Sequence, residues 1–376
     1  MDPYDIRVIF ELMTLELIAS QKRTFHLHQS QQRLEGFVWE QWQIAKLRDM
    51  ARYRRANQAI IGTYSSEVEQ LINEILQESF LTGYQRVTQR IAQRIARYFD
   101  RTASIVMPGG RKARFFAPQE TIFFGQNSHK LRALQQAVRN DIKKAERAVL
   151  RRMDDVYRQT LYKTQVFLDS GAVSLNQAID MATRDFLESG INCVKYKDGR
   201  RANVTSYAEM SLRTASQRAR MLGEGVSRAE WGIHTVVVTA HGNTCEKCLP
   251  WQGKVLIDDV YSGGRADGQH DLLSTAMDAG LLHPNCRHTL ATYFPGITTE
   301  PEPVNEARAQ ANYEAEQQQR HLERQTRKWK RIEAGSLDPA NQEKAAGKVH
   351  EWQGRLKEYL KENPQLRRDY SREKIA

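Results

Sequence analysis

"HTVVVTAHGNTCEKC", residues 234–248, decides the fold class of this chain. Its first half is a β-branched run of the kind that fits a pleated, half-buried surface, which predicts a short buried strand. Its second half, Cys245-x-x-Cys248, has the spacing that lets two thiolates reach one tetrahedral zinc ion. A strand that runs into a cysteine knuckle sets this region apart from flanks that read almost entirely as helix.

A second motif lies downstream. "HPNCRH", residues 283–288, places His283, Cys286 and His288 within six positions. Three readings compete. The first is a metal centre, most simply zinc, with Cys245 and Cys248 completed by two of His283, Cys286 and His288. The gap of 34 residues between Cys248 and His283 is longer than the usual zinc-finger loop. The second has the three cysteines packed as small apolar side chains. The third has Cys286 as a nucleophile activated by His283, His288 or His241, although nothing in the sequence specifies an oriented base or an oxyanion site.

Around these motifs, "KVLI" (254–257) and "HTLATYF" (288–294) read as further strands, and "NCVKYKDGRRANV" as a hairpin turning at Asp198-Gly199. Ser174 with Gln177 is a capping box, and Gly190 is a helix stop. Ser206 with Glu209 opens a helix expected to end near Gly223 and Gly225. Asp258, Asp259 and Asp267 fall in a Gly-rich stretch without the spacing of a calcium loop, read as a surface excursion.

The N-terminal part reads as helix. Asp2-Pro3 suits a helix start, and Ser66 with Glu69 suggests another at residue 66. Val68, Leu71, Ile72, Ile75 and Leu76 make one apolar face, and Val87, Ile91, Ile95 and Phe99 another. Arg86, Arg90, Arg94, Arg97 and Arg101 form a parallel basic stripe, and Arg320, Arg324, Arg327 and Arg331 repeat it near the C-terminus. Such stripes repel themselves unless an acidic partner is near. Residues 107–120 read as an exposed basic loop, followed by a strongly basic helix around Lys143, Lys144, Arg147, Arg151 and Arg152. The C-terminal helices carry few bulky apolar residues, so they are expected to pack on another molecule.

The predicted architecture is therefore α+β and predominantly helical. It has a helical N-terminal region (1–165), a small α+β domain (166–297) with a zinc knuckle, and a helical, basic C-terminal tail (298–376).

The chain has 376 residues, enough for two or three units. Lys and Arg number 56 against 45 Asp and Glu, a formal net charge of +11, which favours an acidic partner such as nucleic acid or an acidic protein surface, the alternative being a solvated charged surface. No apolar run is long enough to span a bilayer and the first residues do not read as a signal peptide, so synthesis in a cytoplasm is expected. Four cysteines are too few for a disulfide framework.

"YKDGRRANVTSYAEMSLRTA", "VVVTAHGNTCEKCLPWQGKV" and "LLHPNCRHTLATYFPG", in this order, resemble the minor capsid proteins of tailed bacteriophages. The nearest likeness is to the minor capsid protein 2 family, related to the Mu F-like head morphogenesis proteins. "FVWEQWQIAKLRDM", "YEAEQQQRHLERQTRKWKR" and "RRDYSREKIA" extend it over most of the chain. The resemblance implies a virion component, present in several copies inside the head near the portal. It implies portal, capsid or scaffold proteins and double-stranded DNA, bound without sequence preference, as partners. The Mu F-like pattern has a CxxC followed by HPNCRC; here His288 replaces the last cysteine, which still offers a metal ligand. It implies a structural protein rather than an enzyme. The alternative is a virion-carried metal- or cysteine-dependent hydrolase in 166–297.

Overall fold

The fold is taken from a computed structural model, which describes residues 5–35, 39–98, 105–106, 112–113, 128–169, 174–196, 198–298 and 304–375. Asp2-Pro3, Phe99, Arg101 and most of the expected 107–120 loop lie outside the described residues. The helices are α1 (Asp5–Glu35), α2 (Trp39–Tyr98), α3 (Ser128–Asp169), α4 (Leu175–Ser189), α5 (Val204–Glu230), α6 (Leu273–Asp278), α7 (Glu306–Gly335) and α8 (Pro339–Glu362). The strands are β1 (Ile105–Val106), β2 (Lys112–Ala113), β3 (Asn192–Lys195), β4 (Arg201–Asn203), β5 (Thr235–Val238), β6 (Val255–Ile257), β7 (Asp271–Leu272) and β8 (Leu290–Thr292). The fold is thus α+β and predominantly helical, as expected. Among the described residues, no helix is long and apolar enough to cross a membrane.

Contacts divide the chain into two compact units. Unit 1 comprises residues 1–3, 71–139 and 210–313; unit 2 comprises 4–70, 140–209 and 314–376. Each unit draws on all three segments delimited from the sequence.

Unit 1 is organised around a four-stranded sheet of order β7-β6-β5-β8. Strand β5 pairs antiparallel with β6 and β8, while β6 and β7 run parallel. Val236, Val238, Leu256, Leu273, Leu281 and Leu290 form its core with Met221 of α5. Strands β5, β6 and β8 coincide with the three apolar runs singled out in the sequence.

The second half of α2 lies parallel to α5. Ser79 and Ser216 share a hydrogen bond of 2.8 Å, and Thr88 and Ser227 one of 2.9 Å. Between these pairs the backbones touch. A Cβ on Gly83 would overlap the Arg220 carbonyl, and one on Gly223 the Phe80 carbonyl. Gly225 is equally tight against Tyr261. Gly223 and Gly225 therefore do not end the helix, which continues to Glu230. They are small because another backbone needs the space, a use of glycine that sequence position alone does not separate from a helix stop. The helix start expected at Ser66 is likewise absent, since α2 runs unbroken through it. Val68, Leu71, Ile72, Ile75 and Leu76 supply enough buried surface to keep the helix going.

At the end of α5, Arg228 is fully buried and donates to the Asp258 carboxylate at 2.8 Å, with Glu224 3.9 Å away. Asp258 also accepts the Tyr261 N–H, and its own N–H bonds the His234 carbonyl at 2.7 Å. The stretch read as a surface excursion is thus pinned at its root by a buried ion pair. Asp259 accepts the Ser274 N–H, and Asp267 closes a local turn by accepting from His270 and the Gln269 N–H.

Unit 2 contains α1, the first half of α2, the later part of α3, α4, the β3–β4 hairpin, and α7 from Glu314 with α8. Tyr157 stacks between Phe25 and Tyr53, at ring-centroid distances of 5.1 and 4.7 Å. The capping box at Ser174 and the stop at Gly190 are both present, as is the hairpin with Gly199 at φ 83. The C-terminal helices pack on their own unit. Leu322, Leu337, Ala345, Val349 and Leu356 are buried, and Arg331 donates to the Leu187 and Glu188 carbonyls that end α4. Asp180 accepts from the Leu337 and Asp338 N–H groups at the start of α8. Polar bonds to helix ends replace the apolar stripe whose scarcity suggested an external partner.

Two outcomes follow for stability. Gly223→Ala should lower it by about 1–3 kcal/mol, the usual cost of forced overpacking, measured by chemical denaturation; a neutral result would mean that the α2–α5 contact is looser than described. Asp258→Ala should cost about 3–5 kcal/mol because it leaves Arg228 buried and unpaired. An Asp258→Ala loss no larger than that of an exposed substitution would contradict the placement of Arg228.

Candidate metal centre

The four cysteines are free thiols, and three of them converge. The first knuckle begins shortly past the end of the extended chain at Thr239 and Ala240. The Cys248 and Leu249 N–H groups both bond the Cys245 carbonyl at 3.1 Å, curling the chain so that both thiols face one side. The second forms at 283–286, where the Cys286 N–H bonds the His283 carbonyl at 2.9 Å. It needs left-handed backbone at Leu282 and Asn285, with φ 56 and 67. Asn tolerates that conformation, whereas for Leu it is costly. The strained residue immediately precedes the ligand turn.

The result is two overlapping sets of donor atoms, Cys245–Cys248–His283 and Cys248–Cys286–His288, each lying within 4.8 Å of one another. Cys245 Sγ is 3.1 Å from His283 Nε2, Cys248 Sγ is 3.6 Å from Cys286 Sγ, and Cys286 Sγ is 3.3 Å from His288 Nδ1. All five residues named from the sequence are brought together. Cys248, Cys286 and His288 are buried, while Cys245 and His283 are partly exposed.

The surrounding hydrogen bonds assign the histidine tautomers. His283 Nδ1 lies 2.8 Å from the Pro284 carbonyl, an acceptor only, so Nδ1 carries the proton and Nε2 offers its lone pair to the thiols. Gln252 Oε1 accepts the His241 backbone N–H at 2.6 Å, which fixes its amide orientation. His288 Nε2, 3.2 Å from that oxygen, must then be the donor, leaving Nδ1 unprotonated towards Cys286. Holding the distal ring nitrogen in this way is how metal-binding histidines are oriented. Gln252 could not be picked from the sequence, since its only signal is its place in "LPWQGK".

The thiols are electronically distinct. The hydrogen bond from Cys248 holds the Cys286 thiol well below the usual range, and the His288 backbone N–H acts in the same direction. That same bond, with burial, pushes Cys248 up. The His288 N–H also points at Cys286 Sγ at 3.4 Å. Burial holds His241 below the usual histidine range; it stands edge-on to His288 at 5.0 Å. The donor set fits a borderline-soft ion such as zinc, which takes thiolate and neutral imidazole ligands.

The site is less well furnished for hydrolysis. Of the carboxylates weighed as a general base, Glu246 is exposed and Asp258 is committed to Arg228.

The arginines proposed to meet an acidic partner separate into groups. Arg86 and Arg90 are exposed on α2 in unit 1, and Arg94 lies over the Phe294 ring at 5.2 Å. Arg101 and the side chain of Arg97 lie outside the described residues. In unit 2, Arg324 is exposed and Arg320 pairs with Glu316 at 2.6 Å. Arg331 is buried on the α4 carbonyls, and Arg327 donates to the Arg372 carbonyl, with burial lowering its affinity for a proton.

Comparison with known proteins gives the same family as the motifs. A structural protein of Lactococcus phage LL-H is 25% identical over 226 residues, 58% of this chain and 61% of that protein. This chain therefore spans less than two thirds of that relative. A structural protein of Lactococcus phage mv4 is 38% identical over 102 residues, 26% of this chain and 83% of that protein. No solved structure gives a significant match. The family model described as phage minor capsid protein 2 matches residues 5–361, and the chain belongs to that family, whose members are structural components of the virion.

Proposed function

We propose that this minor capsid protein acts inside the phage head, close to the portal, and touches the packaged DNA there without sequence preference. The observation that carries the DNA contact is the unpaired arginine face of α2. Arg86 and Arg90 are exposed one turn apart and have no carboxylate within ion-pair distance among the described residues. Burial and the repulsion of Arg86 both weaken the hold of Arg90 on its proton, and buried Glu224 only partly offsets them. A phosphate chain relieves that repulsion, and the net charge of +11 favours its approach. The place near the portal, with portal, capsid or scaffold proteins as neighbours, rests on the family resemblance.

The centre at Cys245, Cys248, His283 and Cys286 is proposed as a structural zinc clamp, with His288 orienting Cys286. It would fasten the turn before β8 to the knuckle after β5. The role is non-catalytic in this reading.

Purified full-length protein should carry about one equivalent of zinc, as a closed four-ligand site does. Cys245→Ser with Cys248→Ser, or His283→Asn alone, should abolish it and lower the melting temperature. His288→Asn should keep the metal. Less than about a tenth of an equivalent in protein made with zinc present would remove the clamp. Zinc lost in His288→Asn and kept in His283→Asn would exchange the two histidines.

For DNA, Arg86→Gln with Arg90→Gln should weaken binding to a mixed-sequence duplex. It should also reduce the salt slope by about 0.9 for each phosphate that is no longer neutralised. Unmeasurable binding of the parent protein at low salt would sink the contact. Electron cryomicroscopy of particles should show density for this chain at the inner face of the portal vertex, and density elsewhere in the shell would refute that location.

A further inference from the structure

Unit 2 carries a concentration of positive charge that neither the metal centre nor the α2 stripe uses. On α3, Arg147 and Arg151 are exposed four residues apart, with Arg152 beside them. The β3–β4 hairpin packs on this part of the helix. Cys193 Sγ lies 4.0 Å from the Ala145 carbonyl, and Arg151, Arg152 and Arg201 all act electrostatically on that thiol. Across the hairpin, Lys195 is registered directly opposite Arg201, and both are exposed. Like charges facing each other across a strand pair destabilise it. Arg200 follows at the turn, its guanidinium 4.9 Å over the Tyr196 ring.

The counter-charges are few. Asp198 lies 3.9 Å from Arg200, and Asp155 and Asp185 attract Arg152. Asp185 is itself paired with Lys163 at 3.1 Å. Burial and the repulsion of Arg201 both lower the proton affinity of Arg152, and its Nε is buried without a hydrogen-bond partner. Two separate elements thus bring six cations together, with a repulsion that an acidic ligand would remove.

We propose that this α3–hairpin face binds the phosphate backbone of duplex nucleic acid, as a second contact separate from the α2 stripe. The inference rests on the reading that the protein meets DNA. Five of the six cations are arginines, whose planar forks fit phosphate oxygens two at a time. Arg147 and Arg151 repeat along α3 at about 6 Å, one helical turn, so a phosphate strand can follow them. A protein partner would need an apolar anchor at its centre. None of the exposed large apolar side chains described in unit 2 falls among residues 145–152 of α3 or 192–203 of the hairpin.

The test titrates a short mixed-sequence duplex into the full chain at several salt concentrations. R151Q/R200Q/R201Q should lower the salt slope by about 0.9 per phosphate left without its cation, and R151K/R200K/R201K should retain it. K344Q/K357Q/K361Q removes the same charge from exposed positions of α8 and should change the slope far less. A glutamine triple indistinguishable from the α8 control overturns the proposal; if R86Q/R90Q lowers the slope in the same assay, the broader DNA reading survives. Failure of the parent chain to bind defeats both. Poly-glutamate that competes as well as DNA, charge for charge, would overturn the assignment in favour of an acidic protein.

Discussion

The buried pair of Arg228 and Asp258 is the constraint on which unit 1 is built. A guanidinium removed from water needs a carboxylate in place before the surrounding core can close. Here the two come from the last turn of α5 and the residue after β6, so closing the core fixes the helix against the sheet. The Asp258 N–H bonds His234, which opens β5, and the chain then leaves β5 for the first cysteine knuckle. Position is thus passed from an ion pair to a strand and from the strand to two thiols. The packing of α2 on α5 through Gly83 and Gly223 holds the other side of the same helix, and tolerates no added carbon.

Unit 2 reaches the same end with different chemistry. Its C-terminal helices are poor in large apolar groups, and ordered polar bonds secure their ends. Arg331 takes the free carbonyls of α4, and Asp180 takes the free N–H groups of α8. Each charge answers a backbone group that would otherwise lie buried without a partner, an outcome costing about 1–3 kcal/mol. Burial raises the Asp180 carboxyl above its ordinary range even so, because the α8 N–H bonds only partly offset desolvation.

Much of this was legible in the sequence, and the rest was hidden for identifiable reasons. Three of the four strands of the β5 sheet announced themselves because β-branched and apolar runs that short have few other uses. Ser174 and Asp198-Gly199 were readable because cap and turn chemistry is local. The five metal-type donors were named from spacing alone. Arg228 was not found, since "GVSRAEW" gives no hint that its partner lies 30 positions later. Gly223 was misread because close backbone approach and helix termination ask for the same residue. Gln252 was invisible because fixing a histidine tautomer leaves no motif.

The arginines show why a periodic pattern cannot decide between structure and binding. Arg327 and Arg331 repeat at the same helical spacing as Arg86 and Arg90, yet the first two are absorbed by carbonyls of their own unit. What separates the groups is whether a tertiary acceptor exists. A buried arginine on a carbonyl has its donors used and is closed off from solvent, so an incoming phosphate gains little from it. An exposed arginine facing another cation is raised in energy until an anion arrives, and that difference appears as binding. The opposition of Lys195 and Arg201 across a short hairpin is of this second kind, and no sequence spacing reveals it, because the register of the two strands creates it.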